Sequence, residues 1–255
     1  MAQYDAIAAE YKDSKRLPFR EFVERHTLFR ILGDLRGKAV LDMACGEGFY
    51  TRRIKLAGAS DVLGVDISGA MICLAEEEER TRPLGCRYVR SDAQAFRAGQ
   101  AFDIVVAMYL LNYARTGRQL QRMCRACYGA LRPGGRFVGV NDNVRHPPLG
   151  TDSLARYGFV RSGPVSPLDG DMTLYEFTNR DGRQFQFRNY YLSPRTYRDA
   201  FQSAGFRDFR WIDVSLHPSR RGDGFWSDFM ARPPIVGFAA RKLGRLCGGL
   251  SDSCR

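Results

Sequence analysis

The stretch Ala39 to Tyr50, AVLDMACGEGFY, constrains this chain more than any other. Val40 and Leu41 end a short apolar run without helical period, the pattern of a strand buried on both faces. Asp42 closes the run, and Ala44, Cys45, Gly46, Glu47 and Gly48 follow as a loop before a helical pattern resumes at Phe49. Strand, tight turn and helix are expected. Glycines at such a junction let a ligand come close to the backbone, and the helix start leaves N–H groups unpaired. A dinucleotide phosphate site asks for G-x-G-x-x-G. Here Thr51 holds the third glycine's position, and a carboxylate at Asp42 repels a diphosphate but pairs with a cationic amine.

The same unit repeats downstream. Asp61–Asp66 is a second strand ended by a carboxylate, and Asp66 at that point can accept both hydroxyl hydrogen bonds of a ribose. Ser68 is an N-cap, with Met71 placed for an adenine face. Glu76 to Glu79 reads as a solvated helix face. Further strands are expected at Cys86–Arg90, Phe102–Ala107 and Arg136–Val140, the last after a Pro133-Gly134-Gly135 turn. Five strand–helix units in series predict a parallel sheet with helices on both faces and ligands at the carboxyl edge, where Met108 to Tyr113 lie.

The rhythm breaks between 141 and 191. Short alternating aromatic segments, LYEFT and QFQFR, flank Asp181-Gly182, a hairpin signal. An antiparallel insertion is expected there. Ser193-Pro194 opens a helix, and strands near Phe209–Val214 and Ile235–Ala240 complete a seven-stranded sheet. At the N-terminus Tyr4, Ile7, Ala8 and Tyr11 share a helix face, Leu17 to Arg20 reads as a break, and Glu21 to Leu32 as a second helix. The expected divisions are 1–36, helical; 37–140, the core; 141–191, the insertion; 192–241, the end of the sheet; and 242–255, a loose tail.

The formal charge of +11 raises nucleic acid as a partner, but the arginines are spread through the chain and no RNA-recognition signature accompanies them. A solvated basic surface is expected. No apolar run has the length of a membrane span, and charges interrupt the start of the chain, so a cytoplasmic location without a membrane partner is expected. The seven cysteines are odd in number and scattered, and Cys124-x-x-Cys127 stands in a helix without a second ligand pair, so reduced thiols and no metal are expected.

Asp42-x-Ala44-x-Gly46-x-Gly48, the D-I-S-x-x-M run from Asp66 and the Y-D-x-I-A-x-x-Y start together resemble the class I S-adenosylmethionine-dependent methyltransferases, with Ala44 replacing the usual first glycine. The resemblance implies a Rossmann-like α/β fold with a mostly parallel seven-stranded sheet, S-adenosylmethionine as cofactor and S-adenosylhomocysteine as product. It implies a helix bearing Tyr4 and Tyr11 that closes over the cofactor, a turn of Ala44, Cys45 and Gly46 beside it, and Ile67 next to the ribose acceptor. Asp92 would receive the adenine amine, Ala93 would offer its N–H to the ring, and the backbone near Ala107 and Met108 would face the methionine part.

The R-L-P-F-R-E-F, D-M-A-C-G-E-G-F-Y-T-R-R and Y-L-L-N-Y-A segments are similar to bacterial azapteridine N-methyltransferases of toxoflavin-type biosynthesis, which implies a flat, nitrogen-rich acceptor. Tyr11, Tyr109, Asn112, Tyr191 and Trp226 are its candidate walls, and the N-terminal helix and the 141–191 insertion are expected to form the lid that holds it. Tyr113, Tyr190 and Phe225 add to the aromatic supply. His26, His146 and His217 lack an acid–base partner, so alignment of the reacting atoms is the expected source of catalysis, with Tyr109 and Asn112 nearest the reaction. An RNA methyltransferase and a cofactor-binding regulator without turnover remain the alternatives. No Asn/Asp-Pro-Pro-aromatic tetrapeptide follows the fourth strand.

Overall fold

The computed structural model describes residues 4–244. Seven strands form the main sheet, in the order β10-β11-β5-β4-β1-β2-β3. In chain order β1 (Ala39–Met43), β2 (Asp61–Asp66), β3 (Arg87–Arg90), β4 (Phe102–Met108) and β5 (Leu131–Asp142) are parallel, and β11 (Ile235–Arg241) runs antiparallel between β5 and β10 (Arg207–Ile212). Helices α3 (Phe49–Leu56), α4 (Gly69–Thr81), α5 (Gly117–Ala130) and α6 (Pro194–Ser203) cover its faces. Because β1 pairs with β2 on one side and β4 on the other, the chain turns in opposite directions from β1. A crevice opens at that reversal, outside the strands' carboxyl ends.

Side-chain alternation along each strand divides the core in two. Val40, Val62, Ile104 and Val138 face one layer, with Leu28 and Ile54. Leu41, Leu63, Val105 and Phe137 face the other, with Leu120, Tyr197 and Phe201. The chain after β5 builds a separate antiparallel sheet, β6 (Gly150–Leu154), β7 (Phe159–Gly163), β8 (Met172–Thr178) and β9 (Gln184–Tyr190). Its inward residues Phe159, Tyr175, Phe177, Phe185 and Phe187 join the first layer and pack on the N-terminal segment, with Phe19 and Phe159 rings 5.0 Å apart.

Several local expectations are corrected. Helix α1 covers only Ala8–Ser14, and the break after it is narrower than expected, since Pro18 already starts the next helix. That helix is a π-helical turn over Arg20–Arg25 before it continues as α2 (His26–Leu32). Pro133-Gly134-Gly135 lies inside β5, where pairing to β4 jumps from Phe102↔Leu131 to Ile104↔Arg136; the expected turn is a bulge in an unbroken strand. Glu79 is no solvated ornament: its carboxylate binds Arg52 and accepts the N–H groups of Leu84, Gly85 and Cys86. Lys242, expected to begin a loose tail, donates from Nζ to the carbonyls of Tyr128 and Leu131. The rest of the tail, 245–255, lies outside the described residues.

Candidate functional site

The β1–α3 turn is built from left-handed residues, with φ of 65° at Ala44, 56° at Gly46 and 81° at Gly48. The N–H groups of Ala44 and Cys45 both donate to the carbonyl of Val65, at 2.7 and 3.0 Å, which ties the turn to β2. A Cβ on Gly48 would stand 2.5 Å from the Tyr88 hydroxyl, whereas one on Gly46 would meet only Met71 Sδ, 3.9 Å away. Gly46 thus leaves space open. Asp66, at the end of β2, is held by two backbone donors, Gly46 N–H to Oδ2 at 2.9 Å and Ser68 N–H to Oδ1 at 2.8 Å. Burial raises its pKa in spite of those bonds. Ser68 caps α4 through the Met71 N–H and donates to Asp5 at 2.6 Å, drawing the N-terminal segment over the edge.

These elements enclose a cavity of about 270 Å³. Ten residues singled out from the sequence converge on it: Tyr4, Tyr11, Ala44, Gly46, Asp66, Ile67, Met71, Asp92, Ala93 and Met108. Tyr113, Gln94 and Gln119 join them. Three expected residues do not line it. Ala107 points into the opposite core layer, and the Cys45 thiol lies buried against the carbonyl of Gly46, 3.5 Å away. Asp42 sits beneath the turn, 1% exposed, with Oδ2 accepting from Thr51 Oγ1 at 2.7 Å and Oδ1 without a hydrogen-bond partner among the described residues. Burial pushes its pKa up to about 6. Asp66 in the cavity wall, a thioether beside a Cβ-free turn and a buried carboxylate beneath that turn fit a nucleoside carrying a cationic amino acid, with Asp42 acting from under the turn and not as part of the wall.

A second, smaller cavity of about 20 Å³ shares Tyr4 and Tyr11 with the first. Its other walls include Phe19, Tyr109, Tyr175, Phe177 and Phe187, with Arg20, Asp142 and Asn189 as polar members. Tyr4 is joined to Tyr113 by a hydrogen bond between hydroxyls, and its ring meets Tyr11 edge to face at 4.8 Å. Arg20 and Glu24 form an ion pair of 2.8 Å with almost no exposed surface. The hydroxyls of Tyr50 and Tyr109 both donate to Glu24. Burial, the largest single influence, would lower the Arg20 pKa, but Glu24 together with the hydroxyls of Tyr11, Tyr109 and Tyr50 outweighs it and the net shift is upward. Tyr109 is held with φ of 62°, an unfavourable conformation for an aromatic residue. Asp142 ends β5 as Asp66 ends β2; it accepts from Asn189 Nδ2 at 2.7 Å and from Tyr175, and burial pushes its pKa up to about 6.

Of the five candidate acceptor walls, Tyr11 and Tyr109 line this second cavity. Asn112 is buried behind it, its Oδ1 accepting from the Asp142 N–H at 3.3 Å. Tyr191 and Trp226 line neither cavity. Tyr191 lies beyond the end of β9, anchored through its backbone to Gly170 and Asp171, and Trp226 packs among Phe22, Tyr157, Phe225 and Phe229. His26 and His217 meet edge to face and His146 meets Asn143, away from both cavities. Cys124 and Cys127 are buried in α5, where burial raises both thiol pKa values. Sequence reading missed Arg20, Glu24, Asp142 and Asn189. The strand-end carboxylate that singled out Asp42 and Asp66 also marks Asp142.

Residues 40–135 match a family model described as a methyltransferase domain. A ubiquinone biosynthesis O-methyltransferase of Methylococcus capsulatus is 32% identical over 174 residues, covering 60% of this chain and 68% of that protein. Its counterpart in Coxiella burnetii is 33% identical over 114 residues, 44% of this chain and 47% of the relative, so the chain spans about half the length of that relative. Among solved structures, S-adenosylmethionine-bound CalS10, an amino pentose methyltransferase from Micromonospora echinaspora, superposes with a TM-score of 0.54 at 19% identity, covering 94% of this chain and 92% of the other. Fold, cavity and relatives agree: the chain belongs to the class I S-adenosylmethionine-dependent methyltransferases.

Proposed function

We propose that the chain transfers a methyl group from S-adenosylmethionine to a nitrogen of a small, flat heteroaromatic molecule, with azapteridines of the toxoflavin type as the model acceptors. The observation that carries the reading is the aromatic-walled second cavity, which shares Tyr4 and Tyr11 with the cofactor-sized one. When bound, the cofactor supplies an electrophilic methyl group on a sulfonium. The chain's own part is to bind, align and exclude water. Asp66 accepts the ribose hydroxyls, Met71 lies against the adenine, and Asp92 with the Ala93 N–H takes its edge. Asp42 draws the amine towards the turn, and Met108 stands at the methionine end. Tyr4 and Tyr11 close the wall between cofactor and acceptor, and Tyr109, locked to Glu24, fixes the acceptor's ring.

Calorimetry with S-adenosylmethionine and with NAD tests the first half: binding of NAD alone would end the reading. Methyl incorporation into pteridine-type rings tests the second. Acceptance of catechols instead would favour transfer to a phenolic oxygen, the second reading, which the names of the O-methyltransferase relatives support. Incorporation into bulk RNA at physiological salt, with none into small rings, would move the function to nucleic acid.

A further inference from the structure

The smaller cavity carries polar atoms that the fold leaves unused. Arg20 gives Nη1 to Glu24, but its Nε, buried with the rest of the side chain, has no partner among the described residues. Asn189 donates from Nδ2 to the Asp142 carboxylate. Because an ionised carboxylate only accepts, this bond fixes which way the amide faces. It leaves Asn189 Oδ1 as a second buried atom without a partner. Asp142 itself receives Asn189 and Tyr175, with the Arg161 charge nearby and Asn112 on its backbone side, and an ionised carboxylate has room for further donors. The π-helical turn thus supplies a donor, and the ends of β5 and β9 supply acceptors, from residues that line one space between aromatic faces.

Folding gains nothing from this arrangement. A buried ion pair is often no better than well-packed apolar residues of similar volume, and a buried polar atom without a partner is a net cost. Groups of this kind gather at sites that complement a ligand. A hydrocarbon ring would leave Arg20 Nε and Asn189 Oδ1 unpaired. A phenol would serve one wall. A ring bearing a carbonyl oxygen beside an N–H serves both.

We infer that the second cavity selects cyclic amides or ureides, Arg20 Nε donating to a ring carbonyl while Asp142 and Asn189 Oδ1 accept ring N–H groups. The inference rests on the heteroaromatic reading above and narrows it to one hydrogen-bonding pattern. Asp142 is then placed to hold a proton that leaves the ring nitrogen. The free space is about one water molecule in size, so the ring enters only as Tyr4 and Tyr11 give way.

The test is calorimetry on the intact chain, saturated with S-adenosylhomocysteine, using lumazine, 1,3-dimethyllumazine and catechol as probes. The two lumazines share shape and carbonyls, but methylation removes both N–H groups. Lumazine is expected to bind at least tenfold more tightly than its dimethyl form. Asp142→Asn, with S-adenosylhomocysteine affinity retained as proof of folding, should reduce that preference to within threefold. Equal affinity for the two lumazines overturns the hydrogen-bonding inference and leaves the heteroaromatic reading standing. Binding of catechol with neither lumazine overturns both.

Discussion

Asp42 is a carboxylate placed where folding would prefer none, and Asp42→Asn exposes the conflict. In the folded protein its pKa rises from 3.8 to about 6, because burial outweighs the Thr51 hydrogen bond and the nearby Lys15 charge. A rise of roughly two units corresponds to about 3 kcal/mol of destabilisation when the group is charged. The sign follows from linkage. A raised pKa means a contribution fully present below the unfolded value and lost as pH climbs through the folded one, so the penalty is complete by about pH 7. An amide in the same place keeps an acceptor for Thr51 but leaves its own N–H groups short of a partner, at about 1 kcal/mol. The variant should therefore be about 2 kcal/mol more stable than the parent at pH 8, or about 4–8 °C in Tm for a chain of this size. The gap should shrink by about 2 kcal/mol between pH 8 and pH 4.5, where the parent's carboxyl takes its proton. Urea titrations at both pH values, without cofactor, measure it. The same variant should lose S-adenosylhomocysteine affinity by about 1 kcal/mol, because Asp42 does not line the cofactor cavity and acts on the amine as a charge beneath the turn, not as a hydrogen-bond partner. No stabilisation at pH 8, or a gap that ignores pH, would refute the assignment of Asp42 as a strained, unpaired charge.

Asp66→Ala removes the proposed ribose acceptor and should weaken S-adenosylhomocysteine binding by about 1.5–3 kcal/mol in a calorimetric titration, while a folded variant of unchanged affinity would make Asp66 a support for the turn alone. Glu24→Gln leaves the Arg20 charge buried without its counter-ion and should cost about 3–5 kcal/mol by urea unfolding; a loss below about 1 kcal/mol would show that the guanidinium finds solvent. Trp226→Ala opens a hole in the cluster around Tyr157 and Phe229, so a loss of about 3–5 kcal/mol of stability is expected with S-adenosylhomocysteine affinity held within threefold. A thermally unaltered variant with impaired lumazine binding would return Trp226 to the acceptor site.

Some of this molecule was legible before any coordinates. Continuous apolar runs closed by Asp42 and Asp66 located β1, β2 and the crevice between them, because a strand buried on both faces and ended by a charge has few alternative readings. Asp181-Gly182 likewise announced the β8–β9 hairpin. Roles that depend on which of many aromatics meet in space were not legible. Tyr191 and Trp226 looked equivalent to Phe177 and Phe187 as supplies of ring surface, yet strand pleating turns Phe177 and Phe187 inward and leaves Tyr191 past the end of β9. Arg20 and Glu24 were hidden for another reason. In a sequence with 39 basic residues an Arg-x-x-x-Glu pair reads as an ordinary solvated helix face, and only the covering second sheet makes it interior.

Tyr4 and Tyr11 belong to both cavities, and this fixes an order of events as well as a shape. On the proposed reading, displacing the segment that bears Tyr4 and Tyr11 to release spent cofactor would also open the space assigned to the acceptor. A molecule needing two methyl groups would then leave between transfers and return as a competitor of fresh acceptor. Singly methylated product would build up before any doubly methylated one appears, a sequence that a time course by mass spectrometry reads directly.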